Sequence, residues 1–580
     1  MKKIAASFFL LALALTGCSG IPDTSFSAQT GSVYDLRSVK DDGEGPAFEK
    51  EAFTLDYMTL EEEDHVIPYL SFSGYADLLA KQFDEESRSV FTVSGVNQIW
   101  QVYYKSSYIF CGIFDTYQKT FSVSGSLYSA FPSGQSVLTD SSLLIDYTHT
   151  VRTLKEGAGF KNYYLRNYSF APKRYHGNYY MPLGLLDMLF GQQAPLFHYY
   201  DLGNFYIYTS ASELNKAVSP IQTLDGKQVK VGENIDSYYA QNNMPLPLRQ
   251  LEKDLLYFHF DAKYGLAENK GISSIPAYFD ENHIGEDMLS EDAGKRTEGF
   301  TRVISLFNEL HTTLQGLGYH WGDDSSSVIP QQARTDYLET SALLKGYYEQ
   351  SGIESGSIIY SSDSKTARIG FNSFSAAMDA YKEDGTLRED AYLEDSYLYV
   401  LHQLEIIKEA GTVENVVIDI SRNGGGYVLI MQKILTLLSP NNLGLTYSYS
   451  PKAGGLSQDS LHLDSNHDNA YDEKDVFGDD FDNIYILTSP CSFSAGNELP
   501  FFARNLGYAK TIGVNSGGGE CSTEVVCFPS GRSYAYSTDN HYVYINDDQK
   551  IVYSESGAGI DVSLPYESFY DIEAIAAAIS

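Results

Sequence analysis

Two apolar runs constrain this chain more than any other feature. Residues 415–420 (Asn-Val-Val-Ile-Asp-Ile) and 483–489 (Asn-Ile-Tyr-Ile-Leu-Thr-Ser) each read as a strand buried on both faces. The first runs into Ser421-Arg422-Asn423-Gly424-Gly425-Gly426 and the helical pattern that follows. The second leads through Ser492-Phe493-Ser494-Ala495-Gly496 into another helical pattern. An earlier strand (366–374) and helix (395–411) extend the alternation, which predicts an α/β fold with a sheet sandwiched by helices. In such sheets binding sites lie beyond the carboxyl ends of the strands, where both small-residue turns fall.

The glycine turn lacks the Lys-Ser/Thr of a P-loop and the dinucleotide fingerprint, so it is not a phosphate cradle. What it offers is unobstructed backbone N–H groups, the requirement of an oxyanion hole. Ser494 reads two ways by itself: a helix N-cap, or a hydroxyl held open as a nucleophile.

Three motifs in order bear on that choice. "VVIDISRNGGG" carries Asp419, Asn423 and Gly425; "YILTSPCSFSAGNE" carries Ser494 and Glu498; "GAGIDVSLP" carries Gly559, Ile560 and Asp561. Over residues 245–570 the chain resembles the tail-specific, or C-terminal processing, serine peptidases, including the tricorn-core type. The resemblance implies a ClpP/crotonase-like α/β peptidase core. It also implies Ser494 as nucleophile, with the N–H groups of Gly425 and Ala495 receiving the oxyanion. Ser421 stands where the family usually has arginine.

Processing peptidases of this family use a lysine base downstream of the serine, but no lysine occurs from Thr511 to Gln549. Lys510 reads as a solvated charge, and "SGGGE" occupies the expected stretch. The branch without the lysine takes its base from an upstream histidine, which implies His320 in "GLGYHWGDD", although Gly318 replaces the usual aspartate. His311, in "NELHTT", reads as a helix-surface residue. The carboxylate that orients the histidine falls on Glu555, one residue out of register. Roughly 45 residues separate His320 from the strand at 366, about half of what an inserted PDZ domain needs, so none is expected. Ser421, Gly318 and the displaced Glu555 also fit a second class of function, a surface-binding protein that keeps the fold with a degenerate site.

Lys2 and Lys3, the apolar stretch 4–15 and Leu15-Thr16-Gly17-Cys18 resemble a bacterial lipoprotein signal, with Cys18 as the lipid-bearing residue. The organisation expected is a signal (1–18), a flexible tether (19–45), tandem α+β stalk-like modules (46–235), a helical segment (236–330) and the peptidase core (331–580). The modules rest on an echo between residues 65–83 and 178–191, each a short strand, a proline-bearing turn and a helix. No other segment approaches the about 18 apolar residues of a membrane span, so the expected protein is anchored on the extracytoplasmic face of a bacterial envelope. A formal charge of −36 argues against nucleic acid as a partner; the expected partners are protein or peptide substrates and a membrane reached through the lipid.

Catalysis of this type requires no cofactor. "DSNHDNAYDEKD" places Asp464, Asn466, Asp468, Asp472 and Asp475 at positions 1, 3, 5, 9 and 12 of a candidate structural calcium loop. The cysteines show no CxxC or Cys/His spacing of a zinc site, and Cys521 and Cys527 could form a bridge in an exported protein. If Cys18 carries the lipid, Cys18→Ala shifts the protein from the membrane to the soluble fraction or blocks its processing. Fractionation followed by mass spectrometry of the N-terminus checks this.

Overall fold

The structure, a computed structural model, describes residues 24–81, 91–125, 145–153, 161–316 and 331–580, save for short breaks of which 190–196, 236–243 and 381–386 are the longest. Two compact units divide the chain: residues 1–130, 162–255 and 528–530 in the first, and residues 131–161, 256–527 and 531–580 in the second.

The first unit is built on a seven-stranded sheet, one of whose interior strands, Ser27–Asp35, lies inside the stretch expected to be a tether. Val33 is buried there, and the strand pairs with Phe53–Thr59 on one side and Asn204–Tyr208 on the other. Richness in Ser, Gly and Asp made this stretch read as a tether; one of the two strands that cover it, Asn204–Tyr208, lies far away in sequence. The two echoing segments share this one sheet, Asn178–Pro182 running antiparallel to Tyr69–Ser71. Their helices are joined by a hydrogen bond from the buried Tyr75 hydroxyl to Asp187. They therefore form a single layer rather than one module each.

The second unit holds two sheets. Its core sheet has six strands, in the order Ile359–Tyr360, Thr366–Gly370, Asn415–Asp419, Asn483–Thr488, Lys510–Gly513 and Val562–Ser563. All neighbours after the first pair are parallel. Side chains of the two apolar runs alternate between two cores. Val416, Ile418, Ile484 and Ile486 pack with helices Ser396–Ala410, Val428–Leu437 and Ala495–Leu506. Val417, Tyr485 and Leu487 face the other way, toward Leu344 of helix Gln332–Ser351 and Ile575 of helix Ile572–Ile579. A strand sandwiched in this way must be apolar at every position, which is why both runs lack alternation.

The other sheet also has seven strands and is mixed in origin. Strand Ile145–Thr153, expected in the stalk, pairs along its length with Gly455–Leu463 of the core. At the opposite side Thr313–Gly316 pairs with strand Ser533–Ile545. That edge interrupts the helical segment expected over 236–330. The helix Ala293–Phe307 stops where Asn308 takes a left-handed conformation (φ 43°), and the β-branched Thr312 and Thr313 lead into the strand.

Asp419 ends its strand in a buried ion pair with Arg368 of the neighbouring strand, and its Oδ1 accepts the Ser421 N–H at 2.8 Å. Arg368 also lies over the Tyr570 ring, 5.2 Å from its centre. Ser421 Oγ lies 3.3 Å from the hydroxyl of the same Tyr570. Asp419→Ala would strand the Arg368 guanidinium without its partner, and a loss of about 3–5 kcal/mol in urea unfolding is expected.

Candidate active site

Parallel pairing brings the two small-residue turns together. Asp419 lies beside Leu487, and the Ile420 N–H donates to the Leu487 carbonyl at 3.0 Å. Beyond that point the chains touch: the Phe493 N–H donates to the Asn423 carbonyl at 3.1 Å. A Cβ added to Gly425 would lie 2.8 Å from Ser494 Cβ and 3.2 Å from its Oγ, and Gly425 has φ 107°. Only glycine fits a site with both restrictions. Gly519 closes in from the other side, where a Cβ would sit 2.5 Å from the Phe493 ring.

Ser494 itself has φ 57° and ψ −127°, a conformation nearly closed to residues with a side chain. Its hydroxyl makes no capping hydrogen bond to the helix that follows. The N-cap reading therefore fails, and what remains is a partly exposed hydroxyl on a sharp strand-to-helix turn. This is the geometry by which a nucleophile elbow projects its Oγ clear of the sheet. The Ser494 N–H donates to the Gly518 carbonyl at 2.9 Å, fixing the turn against the "SGGGE" segment.

His311 lies against this elbow. Its ring packs on Phe493 with centres 4.6 Å apart, and Nδ1 is 3.4 Å from the Ser537 hydroxyl. The His311 N–H donates to Glu309 Oε2 at 2.7 Å, which fixes the segment between helix and strand. Burial lowers the imidazole pKa to about 4, so the ring is neutral at physiological pH, the form a base requires. Glu555 accepts the N–H groups of Gly519 and Glu520 at 3.1 Å each. Its pKa is pushed up to about 7, chiefly by burial, with Glu520 and Glu309 adding to the rise. Glu498 is also buried, and desolvation holds its pKa well above the carboxylate range.

The family model described as "Peptidase family S41" matches residues 390–555, a span that holds the glycine turn, the Ser494 elbow and Glu555. Over those residues the chain is similar to peptidase family S41. No curated protein matches the chain. Solved structures similar to it include a peptidase from Parabacteroides merdae ATCC 43184, at 15% identity and TM-score 0.35, covering 55% of this chain and 87% of that one. Mature CPAF complexed with lactacystin is similar at 12% identity and TM-score 0.36, over 57% of this chain and 98% of that one. A lipoprotein from Streptococcus agalactiae is similar at 12% identity and TM-score 0.33, over 58% and 99%.

Among the residues expected at the site, Gly425 lies against Ser494, Ala495 follows it, and Glu555 accepts the N–H of Gly519, next to the Gly518 carbonyl that takes the Ser494 N–H. His320 lies outside the described residues, as does Cys18. His311 is not the helix-surface residue expected: it follows the helix and is largely enclosed. Asn308, a residue suited to ending a helix, and the Thr312-Thr313 pair were the signals for this in the sequence. The Gly425 N–H, expected to be open, donates to Asn423 Oδ1 at 2.9 Å. Ala495, the first residue of its helix, presents an N–H that meets no acceptor among the described residues.

Cys521 and Cys527 are both free and buried. They begin and end a single extended strand, six steps apart, and about 20 Å of strand rise rules out a bridge. In the acidic loop the carboxylates fold inward. Asp464 accepts the N–H groups of Asp468 and Asn469, and Asp475 accepts those of Asn466 and Asp472. Asn469 takes the left-handed conformation (φ 63°) that the sixth position of a calcium loop needs. Asp464 and Asp475 are buried at the base of the loop.

A methyl group at position 425 must displace the elbow. Gly425→Ala is expected to cost about 1–3 kcal/mol in urea unfolding. Gly346→Ala, in open space on the helix Gln332–Ser351, is expected to gain up to about 1 kcal/mol.

Proposed function

We propose that the protein is a lipid-anchored serine endopeptidase acting on proteins or peptides at the extracytoplasmic face of a bacterial envelope. The observation that carries this reading is the backbone of Ser494, strained at φ 57° and ψ −127° while its hydroxyl caps nothing. In this reading Ser494 Oγ attacks the scissile carbonyl and gives its proton to a histidine. The tetrahedral oxyanion is received by backbone N–H groups at Ala495 and the glycine turn. The imidazolium then protonates the leaving amine, and water releases the acyl group by the same steps.

His311 is the base we favour over His320, because its neutral imidazole is held against the residue preceding Ser494. Glu555 retains the orienting role that the family resemblance gives it; its carboxylate is fixed by two backbone N–H groups beside the elbow. The acidic loop 464–475 is proposed to bind calcium in a structural capacity. The Cys18 lipid is proposed as the membrane attachment. Among the described residues no helix is long and apolar enough to cross a membrane.

One observation favours the second reading, a binding lipoprotein with a degenerate site: Asn423 Oδ1 occupies the Gly425 N–H. A fluorophosphonate probe separates the two. Labelling of the wild type that is lost in Ser494→Ala and falls at least about 1000-fold in rate in His311→Ala, with His320→Ala close to wild type, is expected. Unlabelled wild type would establish the binding protein; full labelling of His311→Ala would return the base to His320.

A further inference from the structure

The hairpin that follows Gly519 carries reactive side chains for which the peptidase mechanism has no use. Strands Cys521–Cys527 and Ser533–Ile545 run antiparallel, and their register sets Cys521 opposite His541. Cys521 Sγ lies 3.6 Å from His541 Nδ1, and Glu520 Oε1 lies 2.8 Å from the same nitrogen. All three donor atoms fall within 4.8 Å of one another. Each residue is at most 2% exposed.

A cysteine–histidine–carboxylate relay would put thiol and carboxylate on opposite ring nitrogens. Here both face Nδ1, so His541 cannot pass a proton from one to the other. Three donors converging on one point is instead the arrangement of a chelate. The surrounding charge agrees: the groups that bear on the Cys521 thiol are the carboxylates Glu555, Glu520, Glu309 and Asp539. A buried region of this sign favours a cation.

The far side of the ring supplies an independent observation. His541 Nε2 is buried and meets no hydrogen-bond partner among the described residues, and His541 lines a cavity of about 420 Å³. Asp261, Glu268 and Asp539 line the same cavity. A ligating imidazole places its remaining proton on the nitrogen away from the metal and turns it toward carboxylates or water. The cavity provides both that outlet and a path of entry for an ion.

We propose that Glu520, Cys521 and His541 form a binding site for a zinc-class divalent cation. Thiolate, imidazole and carboxylate are the donors that zinc takes together, whereas calcium and magnesium take oxygen alone. On binding, the Cys521 thiol releases its proton to solvent as the sulfur–metal bond forms, and the His541 proton moves by solvent exchange from Nδ1, which takes the metal, to Nε2. Glu520 Oε1 exchanges its hydrogen bond with Nδ1 for the metal, while Oε2 keeps the N–H groups of Ser554 and Glu555, at 2.7 and 2.8 Å. Three protein ligands leave one position of a tetrahedral ion open. The site does not depend on the peptidase reading, since none of its ligands has a role there.

Cobalt(II) reports directly on thiolate ligation. The full chain, stripped with chelator and held in excess calcium to fill the acidic loop, is titrated with cobalt(II). One equivalent is expected to bind with a near-ultraviolet thiolate-to-cobalt charge-transfer band, and zinc is expected to displace it. Cys521→Ser should abolish the band and weaken binding at least about 100-fold, while Cys527→Ser should leave both unchanged. Glu520→Gln should keep the band and weaken binding at least about tenfold. Folded wild type without the band overturns the proposal, whether or not any variant folds. A band that survives in Cys521→Ser overturns it equally.

Discussion

Strands Asn415–Asp419 and Asn483–Thr488 pair in parallel, Asp419 beside Leu487, and both therefore leave the sheet at one edge. Everything distinctive about the core follows from what happens in the next few residues. The two chains approach until Gly425 lies against Ser494, closer than any side chain on Gly425 would allow. Ser494 is held in a conformation that costs of order 1–3 kcal/mol, and the surrounding structure must over-determine it. It does so through the Phe493 N–H on Asn423 and the Ser494 N–H on Gly518, two bonds from opposite sides of the turn. The small residues around Ser494 are thus a packing requirement and a chemical one at once. They let three chain segments meet, and they leave the hydroxyl uncovered.

A second property of the core unit is its concentration of buried acids. Glu309, Glu498 and Glu555 all have their pKa values raised by burial. Their charge is managed locally. Glu555 takes two backbone N–H groups, Glu309 takes the Thr312 hydroxyl and the His311 N–H, and Glu498 takes the Ser554 hydroxyl and the Asn497 amide. Hydrogen bonds from the backbone cost no additional buried cation, which suits a site whose base must stay neutral. His311 shares this environment, and the burial that raises the acids lowers its own affinity for a proton.

The second sheet of the core unit shows how far chain order departs from spatial order. Strand Ile145–Thr153 pairs with Gly455–Leu463, some three hundred residues onward, in nine consecutive partners. Such pairing is invisible to local periodicity, which reports only that a segment is β-like. The same holds for Ser27–Asp35, whose polar composition resembles a tether until its two neighbours bury Val33.

By itself the sequence determined the parts of this protein whose signal is local. Continuous apolar runs require strands covered on both faces, and small-residue turns after such runs fall at the carboxyl edge of a parallel sheet; together they specify the α/β core and point the glycine turn toward Ser494, whereas Glu555 came from the family resemblance alone. Tertiary structure alone brought His311 to the elbow, because the turn at Asn308 and the pairing of Thr313–Gly316 with a distant strand remove His311 from a helix surface and pack its ring on Phe493. It also decided that Cys521 meets His541 rather than Cys527. Two cysteines in one extended strand are held apart by its rise, whereas an antiparallel neighbour places a residue twenty positions away directly opposite.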